Sequence, residues 1–118
     1  MRTVDLLRNK FGVSQLYKYD VKFEEEILFT VYWNPLTIAQ RESIQKKSDA
    51  DDNGDFALNL MIEKALDRNG KRLFADADRV TLRREINAAI LQEIQLEMLN
   101  SGAHNKVEEA KADLKSEA

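Results

Sequence analysis

The fold is decided at residues 66–90, which read LDRNGKRLFADADRVTLRREINAAI. The Asn-Gly pair at 69–70 is expected to end a helix, because glycine readily adopts the left-handed conformation that closes many helices. The Leu-Phe pair at 73–74 supplies apolar anchors for a short connection. Asp76 or Asp78 is expected to cap the following helix, since an aspartate there accepts backbone hydrogen bonds and complements the helix dipole. The stretch predicts two helices joined by a short apolar connection.

The second of these helices is expected to be long and to end at residue 99 or 100. Its apolar residues cover a band wider than the roughly 100° that a surface helix needs. Such a band is typical of a helix at the centre of the core, or of one that serves the core and a partner at once, and the sequence leaves both open. Leu91, Ile94 and Met98 are therefore candidate partner-binding residues. The band comprises two stripes, Leu82, Ile86, Ala89 and Ile90, and Val80, Leu91, Ile94 and Met98.

Two further helices are predicted before this stretch. Thr37, followed three residues later by Gln40, has the form of a capping box and predicts a helix at 38–47. From Phe56 onward the apolar residues again recur at helical spacing as far as Leu66. This second pattern predicts the helix that the Asn-Gly pair would end.

Residues 17–33 carry the clearest alternation in the chain and predict a β-hairpin. Pairing Phe23 with Ile27 across a loop of three glutamates, 24–26, places both apolar sets on one face of the ribbon. That face either packs within the chain or contacts a partner, because an isolated two-stranded ribbon is marginal in water. The aromatic side chains of the ribbon as a whole are a candidate partner surface, and Tyr32 and Trp33 are further candidate partner-binding residues.

The two ends of the chain are predicted from simpler patterns. Residues 3–11 hold apolar side chains at spacings of three and four, which predicts a short amphipathic helix ending at Gly12. Residues 101–118 are almost all small or charged, with too little apolar surface to offset an ordering cost of about 1 to 2 kcal/mol per residue. We therefore expect one globular domain at 1–100 and a disordered charged tail at 101–118. The expected class is α+β and mainly helical: a short helix and a β-hairpin followed by three helices, the last one long.

Composition argues against several kinds of function. The 118 residues include 18 basic and 21 acidic side chains, so a net charge of -3 does not favour nucleic-acid phosphates. The chain has no cysteine, which excludes disulfides and thiolate chemistry and fits a reducing compartment. No apolar run in the sequence is long enough for a signal peptide or a membrane span. We expect a cytosolic protein with neither nucleic acid nor membrane as its partner.

One motif suggests a metal. Asp49, Asp51 and Asn53, followed by a glycine, match the first half of a calcium-binding EF-hand loop. The twelfth position of such a loop should supply a bidentate glutamate, but Leu60 stands there. We expect a solvated acidic loop with a residue that caps the next helix, and keep a degenerate calcium-binding protein as a minor alternative.

No other residue pattern indicates catalysis or a cofactor. His104 is the only histidine and lies at the start of the expected tail, whereas acid-base catalysis needs a positioned imidazole with a partner. The four glycines form no phosphate-binding loop. The chain is therefore not expected to be an enzyme.

The order of the elements resembles a known family. A short strand pair, a helix capped at Pro35-Leu36-Thr37, a polar loop, a helix closing at 69–70, the connection KRLFADAD at 71–78 and a final long helix are present together. In this order they resemble the tail assembly chaperones of long-tailed, siphovirus-like bacteriophages. The resemblance covers residues 17–100.

The resemblance implies a noncatalytic role in the host cell cytoplasm, and no place in the mature virion. Such chaperones keep the phage tape measure protein soluble and extended while tail tube subunits polymerise around it. They typically also occur in a longer form made by ribosomal frameshifting, whose extension recruits the tail tube protein. Self-association is expected as well. Without a phage client, the chain would instead be interpreted as a small acidic protein-interaction adaptor.

Overall fold

The computed structural model describes residues 2–51, 53–101 and 105–107, and the side chain of residue 53 is not described. Within these residues the class is confirmed as α+β and mainly helical, with one antiparallel hairpin. The elements are α1 Thr3–Phe11, β1 Tyr17–Phe23, β2 Glu26–Trp33, α2 Ile38–Lys47, α3 Asn53–Lys64, a 3-10 turn Asp76–Asp78, α4 Arg79–Glu85 and α5 Ala88–Asn100.

The hairpin has the predicted register over most of its length and a different turn. Tyr17 pairs with Trp33 and Val21 with Phe29, as expected. The predicted pairing of Phe23 with Ile27 is wrong, because Phe23 pairs with Glu26 across a two-residue turn. A bulge beside Val21 absorbs the one-residue difference, so that Ile27 pairs with Lys22 and lies on the opposite face of the ribbon from Phe23.

The turn contains no glycine, and two glutamates adopt the left-handed conformation that glycine usually supplies. Glu24 and Glu25 have positive φ angles of 51° and 75°, as both central residues of a type I′ turn do. Turns of this kind match the twist of the flanking strands, although they usually contain asparagine and glycine. The two glutamates therefore hold a conformation that is uncommon for their residue type.

The core lies between the inner face of the ribbon and the helices. Trp33 is fully buried, its ring stacks on that of Tyr17 at 6.1 Å between centroids, and its indole N–H donates to Ser101 Oγ at 2.9 Å. From the other side, α5 contributes Ile94 and Met98. A second cluster joins α3 to α4. The main cluster comprises Tyr17, Val21, Val31, Trp33, Ile44, Leu60, Met61, Ala65, Ile94 and Met98, and the second comprises Leu58, Ile62 and Leu82.

Both predicted bounds of α2 are confirmed. Gln40 N–H donates to Thr37 Oγ1 at 3.1 Å, and Thr37 N–H donates to Gln40 Oε1 at 3.1 Å, so the capping box is complete. The N-terminal helix, predicted to end at Gly12, ends at Phe11 with Gly12 as the residue that follows it. A Cβ atom on Gly12 would lie 2.2 Å from the carbonyl oxygen of Arg8, which explains why a glycine follows α1.

The end of α3 was predicted too late in the sequence. The helix ends at Lys64, and Leu66 instead pairs with the backbone of Tyr32, with N–H to O distances of 2.8 and 2.9 Å. Leu66 also forms a β-bridge with Arg72. The segment after α3 therefore supplies hydrogen-bond partners for the backbone at the outer edge of β2. Gly70, with φ of 85°, serves a turn outside the helix rather than a helix cap. Sequence periodicity did not anticipate that an open strand edge would compete for these residues.

The prediction of a single long final helix is wrong. Ile86 is extended, with φ -111° and ψ 141°, and separates α4 from α5. Asn87 begins α5, since its Oδ1 atom accepts the backbone N–H of Ala89 at 2.8 Å. Asp78 does not cap α4 through its side chain, which accepts the backbone N–H of Ala75 at 2.7 Å. The apolar spacing predicted a continuous helix, but Asn87 caps a new helix and so divides the segment in two.

Part of the predicted tail belongs to the folded structure. Asn105 is buried, and its Nδ2 donates to the carbonyl of Lys18 at 3.2 Å and to Glu97 Oε1 at 2.9 Å. Val107 N–H donates to the carbonyl of Leu16 at 2.9 Å. Residues 105–107 therefore pack beside β1, and the predicted disorder of 102–104 and 108–118 concerns residues outside those described.

Candidate protein-binding surfaces

Three of the predicted partner-binding residues are core residues. Trp33 and Met98 are fully buried and Ile94 is 2% exposed, so the prediction that they bind a partner is wrong. The physical reason is that α5 lies across the aromatic face of the ribbon, and each covers the apolar surface of the other. Of the two alternatives for the wide band, the position in the core is therefore correct for Ile94 and Met98, whereas Val80 of the same stripe is 61% exposed.

The other two predicted residues are half-buried. Tyr32 lies on the outer face of β2, where its backbone is held by Leu66. Leu91 packs against both core clusters and also lines a surface cleft. Only Leu91 among the five predicted residues therefore contributes to an open apolar surface.

This cleft is the first candidate surface and lies where α4 and α5 diverge. Because the chain is extended at Ile86, the two helices separate there and leave a cavity of about 300 Å³ against α3. Its floor is apolar and its rim carries Gln92, Gln95 and Arg83. We call it the α4–α5 cleft; its apolar lining consists of Ala57, Leu58, Leu82, Ile86, Ala88 and Leu91.

The second candidate surface is the apolar face of α1. None of the nine residues of this helix is buried. Leu7 is 55% exposed and Phe11 is 67% exposed, and Val4 lies on the same face. The helix is held at its end by polar bonds: Gln15 Nε2 donates to the carbonyl of Asn9 at 2.7 Å, and Lys106 Nζ donates to the carbonyl of Lys10 at 3.3 Å. We call Val4, Leu7 and Phe11 the α1 face.

The third candidate surface is the hairpin tip, residues 22–28. Phe23 continues the inner face of the ribbon beyond the core and is 63% exposed, and Ile27 and Leu28 are exposed beside the turn. Three consecutive glutamates, 24–26, lie between them. The strand pattern predicted apolar positions here but gave no sign that the core would end before them.

The acidic loop is held by protein groups rather than arranged around an ion. Asp55 accepts the backbone N–H of Asp49 at 2.7 Å and pairs with Arg83 at 3.1 Å, and its oxygen lies 3.7 Å from Arg79. Asp51 N–H donates to Asp49 Oδ1 at 2.9 Å. Since α3 already begins at Asn53, the fifth and later positions of the supposed calcium loop are helical. In the described part of the chain, no group of three or more His, Asp or Glu side chains could hold a metal ion.

Two ionisable side chains have pKa values displaced by their surroundings. The Tyr19 hydroxyl donates to Glu93 on α5, and this hydrogen bond, with partial burial and the negative charges of Glu93 and Glu97, raises its pKa from 10.0 to about 12. The backbone N–H groups of Lys71 and Asn69 donate to Asp67 and lower the pKa of its carboxyl group. Both interactions fix local structure, Tyr19 by tying the ribbon to α5 and Asp67 by closing the turn after α3.

Comparison with known proteins identified no relative of this chain. No protein-family model, known protein or solved structure matches this chain. Within the described ranges, no helix has the length and apolar character needed to cross a membrane. The candidate surfaces are therefore interpreted from their own geometry.

Proposed function

We propose that the chain is a noncatalytic phage tail assembly chaperone that binds other proteins through exposed apolar surfaces. The observation that carries a binding role is the exposed apolar area on α1, at the hairpin tip and in the α4–α5 cleft. The phage assignment is supported by the sequence resemblance. The strand pair and the helix after Pro35 agree with that resemblance, whereas α3 ends earlier and the final helix is divided.

The tape measure protein is the proposed client, and the α4–α5 cleft is its proposed site. An amphipathic helix commonly binds by inserting apolar side chains into a groove. The cleft has the apolar floor and glutamine rim suited to this mode, and its volume lies at the lower end of the roughly 300 to 1,000 Å³ of ordinary ligand pockets. One or two client side chains would enter each copy, so a long client would need many copies along its length.

The proposal also includes the other parts of the family role. The chain would act in the host cell cytoplasm, associate with itself, and leave before the virion is mature. A longer form made by frameshifting would bring in the tail tube protein. The gene should then lie just upstream of a very long tape measure reading frame, with a slippery nucleotide sequence near its stop codon.

Co-expression with that tape measure protein tests the client site. We expect the client to remain soluble and to co-purify with the chain, and Ile86→Glu to abolish co-purification because it places a charge in the cleft. Leu96→Glu is the matched control, since Leu96 is an exposed leucine of α5 outside the cleft lining. Equal loss in both variants, or none in either, would reject the cleft as the client site. A client that stays insoluble with the wild-type chain would reject the chaperone role and leave the adaptor alternative.

A further inference from the structure

We propose that the α1 face of one copy of this chain docks on the hairpin tip of a second copy, giving a head-to-tail assembly. The proposed function includes self-association, and this pairing rests on it and names the two surfaces that would form the contact. Its test uses the purified chain without a client, so that its failure and the failure of client binding are distinguishable.

The α1 helix lacks apolar packing within its own chain, since none of its residues is buried. Isolated helices shorter than about 12 to 15 residues are marginal in water, and α1 has nine residues, none of them buried. Most helices in proteins are stabilised by burying an apolar face. Leu7 and Phe11 offer such a face, and a docking partner would cover it.

The two surfaces carry complementary charges. Residues 2–11 carry three basic side chains and one acidic one, whereas residues 22–28 carry three glutamates and one lysine. Among the described residues, no ion pair reaches Glu24, Glu25 or Glu26. A basic helix with an apolar stripe therefore matches an acidic turn flanked by exposed Phe23 and Ile27.

The C-terminal end of α1 lies at the base of the ribbon, away from the hairpin tip, because Lys106 both bonds to Lys10 and pairs with Tyr17. The α1 helix joins β1 at Tyr17, and the tip lies at the other end of the strand, about 20 Å away at roughly 3.4 Å per residue. Residues 12–16 fold beside the base of the ribbon, where Asn34 Nδ2 donates to the carbonyl of Gln15 at 2.8 Å. Each surface is therefore open to a second molecule, and the complementary charges favour a second copy of this chain.

A contact between two different surfaces repeats from copy to copy. Such heterologous interfaces build rings when the rotation closes and open filaments when it does not. A linear or ring-like series of copies would present one α4–α5 cleft per subunit at regular spacing. This arrangement is suited to a client that is long.

Complementation between two defective variants tests the proposal. Leu7→Glu damages the α1 face and leaves the tip intact, and Phe23→Ala damages the tip and leaves α1 intact. Each should weaken association by about 10- to 100-fold, the loss expected for one buried apolar side chain. Mixed in equal amounts, they retain one good α1 face and one good tip between them. At a concentration where neither variant associates alone, the mixture should therefore form a heterodimer of twice the 13.6 kDa chain mass.

Analytical ultracentrifugation with circular dichroism provides the readout. The wild-type chain should associate with rising concentration, and less so at high salt because charges contribute. Ile38→Glu is the control and should associate as the wild type does, since Ile38 is 80% exposed on α2, outside both surfaces.

Several results would overturn the proposal. They are a wild-type chain that stays monomeric at millimolar concentration, a mixture of folded variants that does not pair, or an Ile38→Glu variant that loses association to the same extent. Wild-type chain that binds vesicles of anionic lipid through α1 without self-associating would show that a membrane surface is the occupant instead.

Discussion

The α1 and α5 helices carry apolar residues at the same helical spacing and have opposite fates. Ile94 and Met98 of α5 are buried against the ribbon, whereas Leu7 and Phe11 of α1 face outward. Spacing predicts which residues share a face of a helix. Whether that face is covered depends on where the chain directs the helix afterward. The face of α5 therefore stabilises the fold, whereas the face of α1 is available to a partner.

The largest difference should appear when a charge is placed on each of these two faces in turn. Ile94→Glu would bury a carboxylate without a partner, and we expect a loss of more than about 4 kcal/mol in unfolding free energy, enough to unfold a marginally stable domain. Leu7→Glu on α1 should change it by less than about 0.5 kcal/mol. Urea denaturation followed by circular dichroism measures both. Similar losses in the two variants would show that the α1 face is core in solution.

A smaller effect should come from the buried amide that joins the predicted tail to the core. Asn105→Ala removes the bonds to the carbonyl of Lys18 and to Glu97, and we expect a loss of about 1 to 3 kcal/mol. Asn100→Ala is the matched control, because Asn100 is exposed at the end of α5. If the two variants were equally stable, residues 105–107 would contribute nothing to the fold.

The break between α4 and α5 should depend on one cap. Asn87→Ala removes the acceptor of the Ala89 N–H, and we expect it to cost about 1 kcal/mol. Asn87→Asp retains an acceptor and should cost less. Thermal unfolding compares the two variants, and an alanine variant that is more stable than the wild type would mean that a continuous helix is preferred.

The smallest effect concerns the link between Tyr19 and α5. The pKa of Tyr19 is about 12 in the folded chain and 10.0 without the fold, so the folded state holds this proton more tightly. The resulting stability, about 1 kcal/mol for a partly exposed hydrogen bond, is complete below pH 10 and is lost as the pH rises through 12. Ultraviolet titration should show one late-titrating tyrosine that disappears in Tyr19→Phe. A wild-type chain whose tyrosines all titrate near pH 10 would contradict this assignment.

The sequence predicted local structure better than it predicted how elements meet. The capping box at Thr37 and the ribbon face from Tyr17 to Val21 follow from neighbours along the chain, and both are confirmed. The early end of α3 follows from the backbone of Tyr32, which lies far away in sequence and offers hydrogen bonds to Leu66.

The candidate surfaces were harder to predict for the same reason. Apolar spacing alone assigned Ile94 and Met98 to a partner, because nothing local shows that the ribbon covers them. The α4–α5 cleft requires the break at Asn87, and an asparagine inside a helical pattern was the available signal. Exposure at the hairpin tip depends on where the core ends, which no short pattern encodes.

The turn at Glu24 and Glu25 combines an uncommon backbone conformation with a concentration of negative charge. Asparagine followed by glycine would adopt the same positive φ angles with less strain, so Glu24→Asn with Glu25→Gly should raise the stability of the hairpin. The same exchange would remove two of the three negative charges at the tip. A chain that keeps glutamates there forgoes stability that two substitutions would supply, which is the pattern expected where activity and stability compete for the same residues.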